Sequence, residues 1–327
     1  MLVMDAPPNL AVAQPDHDRD HGPQVWFAPN DDLGRGPNRD RYLNHDFPHL
    51  FDPNPAWDAK IDVFKISPMM GSAVGPADEL GRINAFLKDH RIALSVDTGG
   101  VTMDNPGPTP GECGYGVEGM ARPGRNAVSF KRLKSLGIEV AYVTLDEPLT
   151  YGHYYNRKNA CGYSIEDVAR RTANEIAQIR QVYPNVPVVD VEAPQMTTTA
   201  QWNADFPKWL KAYRDASGSP FDAVVYDMVM SQPWQAIATP GIGAAHAVGV
   251  RAGIILDGAG PGGTDAEAVA AYKRNMQAVD ASGLKFDLVM VANWTPHPSR
   301  NLPQSDPDTL TSALAWYLQH HDKGGRE

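Results

Sequence analysis

The sequence predicts a single (β/α)8 barrel. Short apolar runs rich in β-branched residues recur along its 327 residues, helical patterns follow nearly every one, and connecting segments alternate between short and long. The runs cover residues 25–29, 63–67, 92–97, 140–145, 186–192, 223–228, 252–257 and 288–293. Their starts lie about 30 to 50 residues apart, the size of a βα unit with its loops. Helical periodicity covers 78–90, 127–136, 165–182, 205–216, 266–281 and 309–320. Strand alternating with helix implies a parallel sheet, and eight such units suit closure into a barrel.

Local signals support the elements. Ser164 with Asp167, and Thr264 with Glu267, form capping-box-like pairs that open helices. Gly137 and Gly283 follow helical runs, where a left-handed residue ends a helix. Helix-to-strand connections such as Leu136-Gly137-Ile138 and Ser282-Gly283-Leu284 are short. The strand-to-helix segments 30–57, 98–124, 146–163 and 293–308 are long. In such barrels the strand-to-helix loops crown the C-terminal face, where active sites sit, so the asymmetry orients the molecule. The expected domain plan is a loosely attached tail over 1–22, the barrel over 23–322 and a short tail over 323–327.

Bulk composition narrows the partners. The content of 42% hydrophobic and 21% charged residues suits a globular core. A formal net charge of −10 with unclustered basic residues argues against a nucleic-acid partner. No apolar run is long enough to span a bilayer, so no membrane partner is expected. Ala11-Val12-Ala13-Gln14 has the form of a signal-peptidase site without a basic and apolar stretch before it. That leaves a cytoplasmic location if Met1 is the true start, and a secreted or periplasmic one if a signal peptide has been trimmed. Cys113 and Cys161 lack zinc spacing. They read as two free thiols or, because their loops are neighbours at the barrel top, as a disulfide implying an oxidising compartment.

Acids divide by position. Asp62, Asp222 and Asp287 begin strands, on the stability face, and are expected to be structural. Asp97, Asp146, Glu147, Asp190, Glu192, Asp227 and Asp257 end strands. Alternation along a strand aims Lys65, Asp97 and Glu192 into the mouth, with Asp190 as an inward partner of Lys65 or Arg251. Clustered carboxylates repel one another and suit proton-sharing chemistry. No strand ends in His-X-His, so no metal or cofactor is expected. Paired carboxylates acting as acid and base or nucleophile fit glycoside hydrolysis.

The top loops carry the planar and forked side chains that sugars need. They include Asn30, Asp31, Asp32 and Arg35 in the first loop, Tyr151, His153 and Tyr154 in the fourth, Gln232 and Trp234 after the sixth run, and Trp294 and His297 after the eighth. Aromatics also seal loops against barrels, and both roles are open for each. Asn30, Asp32, Lys65, Asp97, Tyr151, Trp234, Trp294 and His297 are the candidate substrate contacts.

The segment Ala141-Tyr142-Val143-Thr144-Leu145-Asp146-Glu147-Pro148 resembles the end of strand 4 in clan A retaining glycosidases, where Asn-Glu-Pro holds the general acid/base glutamate. Asp146 replaces the Asn here. Trp294 is similar in place to the aromatic that floors the sugar site in that clan. Where the clan has a glutamate nucleophile at the end of strand 7, this chain has Asp257. The resemblance implies a glycosidase acting on an oligo- or polysaccharide. Glu147 would be the acid/base and Asp257 the nucleophile or base, with Asp227 and Glu192 in reserve. The plainer readings are a helix N-terminal acid for Glu147 and a turn-former before Gly258 for Asp257.

Other functions fit the same face. Gly258-Ala259-Gly260-Pro261-Gly262-Gly263 lies where barrels bind phosphate, and Lys65 could form a Schiff base, as in a lyase or isomerase with a phosphate or carbonyl substrate. A barrel that binds saccharides without cleaving them, and a metal-dependent hydrolase, are further alternatives.

Overall fold

A computed structural model describes residues 22–31, 44–72, 75–258 and 263–321. Eight parallel strands close into a barrel. In chain order they are β1 (Gln24–Ala28), β2 (Val63–Ile66), β3 (Ala93–Gly99), β4 (Tyr142–Asp146), β5 (Val188–Glu192), β6 (Ala223–Tyr226), β7 (Arg251–Leu256) and β8 (Leu288–Ala292). Each pairs with its sequence neighbours, and β1 closes the ring on β8 from Gln24↔Leu288 to Ala28↔Ala292. All eight predicted strands are present. Asp32, Arg35, the tails and residues 259–262 lie outside the described residues.

Strand alternation builds two apolar layers. Inside the barrel sit Trp26, Val63, Tyr142, Val189, Val191, Val225, Ile255 and Met290, with the Trp26 and Tyr142 rings 5.1 Å apart. Residues of opposite parity, including Leu94, Val143, Val188, Val224, Ile254 and Val291, join the shell between barrel and helices. Both faces of each strand are therefore buried, as parallel sheets require.

The helices are α1 (Ala77–Asp89), α2 (Arg125–Ser135), α3 (Ile165–Arg180), α4 (Thr199–Ser217), α5 (Gln235–His246), α6 (Asp265–Ser282) and α7 (Leu310–His321). Ser164 caps α3 by accepting from the Asp167 N–H, and Thr264 with Glu267 forms a full capping box on α6. Two elements differ from the sequence reading. Helix α4 begins at Thr199 instead of Asp205, because the Thr198 hydroxyl caps the Gln201 N–H. Helix α5 was not foreseen, since Pro240, Gly241 and Gly243 interrupt its pattern. Gly241 has a steric reason: a Cβ there would lie 2.2 Å from the Tyr226 hydroxyl. Between β1 and β2 a 3-10 turn, Phe47–Phe51, covers the barrel with Phe47 and Phe51 packed on Phe64.

The strand-starting acids are structural. Asp62 accepts from the Val25 N–H at 2.7 Å, and Asp287 from the Ala252 N–H at 2.7 Å. Asp222 pairs with Arg251, which also donates to Gln24. Each acid satisfies a group that the neighbouring strand's start leaves open.

Strand β5 corrects the expected orientation of two acids. Val189 and Val191 fill the interior, so Asp190 and Glu192 face outward. Asp190 is not a partner of Lys65 or Arg251. It accepts at 2.7 Å from the indole N–H of Trp209 on α4. Burial and then Glu192 push its carboxyl well above the usual range, against the Trp209 bond. Trp209→Phe removes that donor and is expected to cost about 1–3 kcal/mol, read as a lower urea midpoint with an unchanged slope.

Candidate active site

The mouth is assembled from strand ends. On β3, Asp97 shares the inward parity of Ser95, whose hydroxyl meets that of Thr144 on β4 at 2.6 Å. The same parity brings Asp146 to the rim at the end of β4. On β6 and β7 the interior residues Val225 and Ile255 place Asp227 and Asp257 two positions further, on the same side. Lys65, from β2, pairs with Asp97. Asn30 is buried two residues beyond β1.

Glu147 follows β4 directly, in an unusual backbone conformation. Its φ is 50°, a left-handed value that costs energy in a non-glycine residue and collects at functional sites. Its N–H donates to the Val191 carbonyl at 3.0 Å, and its carbonyl accepts from the Tyr151 N–H at 2.9 Å. Only glycine fits beside this turn: Gly119 has φ 70°, and a Cβ there would lie 2.6 Å from the Asp146 carbonyl oxygen.

The electrostatics follow from crowding. Burial, then Asp227, Asp146, Glu192 and Glu118, push the Glu147 carboxyl up to about 10, so it is protonated at neutral pH. Burial and Asp257 raise Asp227 to about 7, against a hydrogen bond with Glu147. Burial, then Asp97 and Glu118, hold Asp146 well above its usual range. Burial works against the charge of Lys65, yet Asp97 and its hydrogen bond leave the ammonium above its ordinary value. A lysine held charged in this way is a poor amine nucleophile. Asn275 of α6 donates to the Asp257 carbonyl at 3.0 Å and approaches its carboxylate at 3.5 Å.

The other expected contacts separate. Tyr151 stands at the mouth, its hydroxyl bonded to Glu118 and its ring 5.5 Å from Tyr155. Trp294, just past β8, is 50% exposed. Trp234 is instead buried in the shell between barrel and helices, where its apolar area seals the start of α5. The His297 ring is taken up by Asp265 at 2.5 Å, at the start of α6. Glu192 faces out of the barrel and accepts from Leu149 and Thr150.

Glu118 was not foreseen. It lies on the long 98–124 loop, which no periodicity describes. Val101–Thr102 and Met120–Ala121 pair within it as a small parallel sheet. A clasp fixes this loop on the next one. Cys113 and Cys161 form a disulfide with Cα atoms 4.8 Å apart, so the two cysteines are bonded and not free thiols. Asn159 adds a bond to the Tyr115 carbonyl at 2.7 Å. The disulfide joins residues 48 apart in sequence. Cys113→Ser, or reduction, is expected to cost about 2–4 kcal/mol. The check is a melting temperature that falls by several degrees with reductant in the parent protein and not in the variant.

Among the described residues, no three His, Cys, Asp or Glu side chains gather in a way that would hold a metal ion, and no helix is long and apolar enough to cross a membrane.

The molecule thus belongs to the (β/α)8 barrels, with a carboxylate-rich mouth at the C-terminal ends of its strands. No known family profile matches the sequence, and no curated protein sequence matches it. Solved structures that share the fold include glycoside hydrolases. One is a Bacteroides thetaiotaomicron protein classed provisionally as an alpha-L-fucosidase, with TM-score 0.55 and 10% identity over 99% of each chain. Another is a GH5_18 protein from Streptomyces cattleya in complex with GlcNAc, with TM-score 0.53 and 10% identity over 93% of this chain and 82% of that one. At such identities the likeness is one of fold.

Proposed function

We propose that the protein is a glycosidase that hydrolyses an O-glycosyl bond in an oligo- or polysaccharide. The observation that carries this reading is a set of three carboxyls, Glu147, Asp227 and Asp257, gathered at one strand-end mouth, where burial and neighbouring acids push Glu147 up to about 10 and Asp227 to about 7. Glycoside hydrolysis needs one carboxyl kept neutral to protonate the leaving oxygen and one ionised to act on the sugar or on water. The fold shared with glycoside hydrolases supports the same reading.

Glu147 is the general acid. Asp257 is taken as the opposing carboxylate by elimination of Asp227, since acid and partner must stand about 5–5.5 Å apart in retaining enzymes and about 6.5–9.5 Å in inverting ones. A carboxyl hydrogen-bonded to the acid, as Asp227 is, stands too close for a sugar to lie between them. Asp227 therefore tunes the proton on Glu147. Trp294 offers the sugar an exposed apolar face, and Asn30, Lys65, Asp97 and Tyr151 offer polar contacts. The disulfide suits an oxidising compartment.

The experiment is a screen of aryl glycosides and oligosaccharides for new reducing ends. Turnover by the parent protein that falls about 100-fold or more on oligosaccharides in Glu147→Gln is the expected result. Binding without release of reducing ends would make the barrel a non-catalytic lectin.

A further inference from the structure

We propose that Glu192, which lies behind the mouth, is a positioning residue that sets the backbone and aim of Glu147. The proposal rests on the reading of Glu147 as the acid. Glu192 is fully buried. One of its carboxylate oxygens accepts from the Leu149 N–H at 2.7 Å, and the other from the Thr150 N–H at 2.9 Å and the Thr150 hydroxyl at 2.7 Å. These donors open the wide helical turn Thr150–Tyr154 that follows Glu147 and Pro148.

Glu147 is consequently gripped from both sides by the end of β5. Its own N–H is held by the Val191 carbonyl, and the chain two residues beyond it is held by the carboxylate of Glu192. A residue at φ 50° relaxes unless its surroundings fix it, and this pair of anchors fixes it. The chemistry explains why the anchor is a carboxylate. It has two acceptor oxygens and no donor, and it faces three donors. Glutamine would offer one oxygen and turn an N–H2 group against a backbone N–H. Burial pushes the Glu192 carboxyl up to about 8 against these hydrogen bonds, so its charge forms as pH rises through that value, and on the alkaline side it helps to keep the proton on Glu147.

The test compares Glu192→Gln, Thr150→Val and Glu147→Gln with the parent protein on one substrate. In Glu192→Gln, kcat is expected to fall about 30-fold or more with KM held within about two-fold, since a misaimed group costs rate more than binding. The alkaline limb of the pH profile should move down by about 0.5–1 unit, because a neighbouring negative charge is lost. A merely structural residue would change the melting temperature and leave that limb in place. Thr150→Val removes a single donor and should show a smaller change in kcat, about three- to ten-fold, in the same direction. It carries the test if Glu192→Gln does not fold. Parent-like kcat and alkaline limb in a folded variant would overturn the proposal, provided Glu147→Gln shows its expected loss of rate. Full activity in Glu147→Gln would instead overturn the acid assignment beneath it.

Discussion

Glu147→Gln is expected to lower hydrolysis by about 10²–10⁴-fold, the usual worth of a general acid, and at the same time to stabilise the protein at neutral pH. The two effects share a cause. The folded protein holds the Glu147 carboxyl at about 10, against an ordinary 4.5. Below pH 4.5 the group is protonated whether the chain is folded or not, and its contribution to stability is fully retained. As pH rises, the unfolded chain gives up the proton while the folded one keeps it, so stability is lost progressively until the folded value is reached. At pH 7 the ceiling on this loss is about 3 kcal/mol, since each pH unit climbed above the ordinary value costs roughly 1.4 kcal/mol. Glutamine has the same shape and no proton to lose. Calorimetry should therefore show the variant melting above the parent at pH 7 to 8, with the gap closing near pH 4. Substrates with good leaving groups need less protonation and should lose less rate. Equal melting at both pH values would show that Glu147 is ionised in the fold.

The barrel was legible because its strands obey simple rules. Each is a short β-branched run, and the long loops all lie at one end. The side that β5 turns inward was not legible. Val188, Val189 and Val191 are all buried, so alternation shows that Asp190 and Glu192 share a face without saying which. The Trp209 indole decides it for Asp190, and that residue lies on α4, across the shell. Trp234 failed for a related reason: an aromatic after a strand can face a ligand or close the shell, and only packing separates the two. Glu118 was out of reach because its loop has no period, whereas the clasp between Cys113 and Cys161 that holds this loop was one of two readings open from the neighbouring loops. Glu147 was readable from its three-residue motif, but its left-handed backbone was not.

Asp257→Asn and Asp227→Asn should separate the two remaining acids of the mouth. If Asp257 is the carboxylate that acts on the sugar or on water, its loss should cost on the order of 10³-fold or more in kcat, as removal of one member of a catalytic unit does. The pH dependence that remains should keep its alkaline limb, because Asp257 does not hold the Glu147 proton. Asp227 has the opposite signature. After burial it is the largest influence raising Glu147, and the two carboxyls share a hydrogen bond. Its own value of about 7 means that its charge grows as pH rises through neutrality. That charge strengthens the hold on the Glu147 proton and extends the alkaline limb upward. Asp227→Asn removes it, so the limb should fall by about 1–2 units, while the rate near neutral pH, where Glu147 stays protonated, should fall by less than about tenfold. Measuring kcat against pH for both variants discriminates the roles. A collapse in rate at every pH in Asp227→Asn, with near-normal rates in Asp257→Asn, would move the opposing role from β7 to β6. The sugar would then have to part the hydrogen bond between Glu147 and Asp227 on binding.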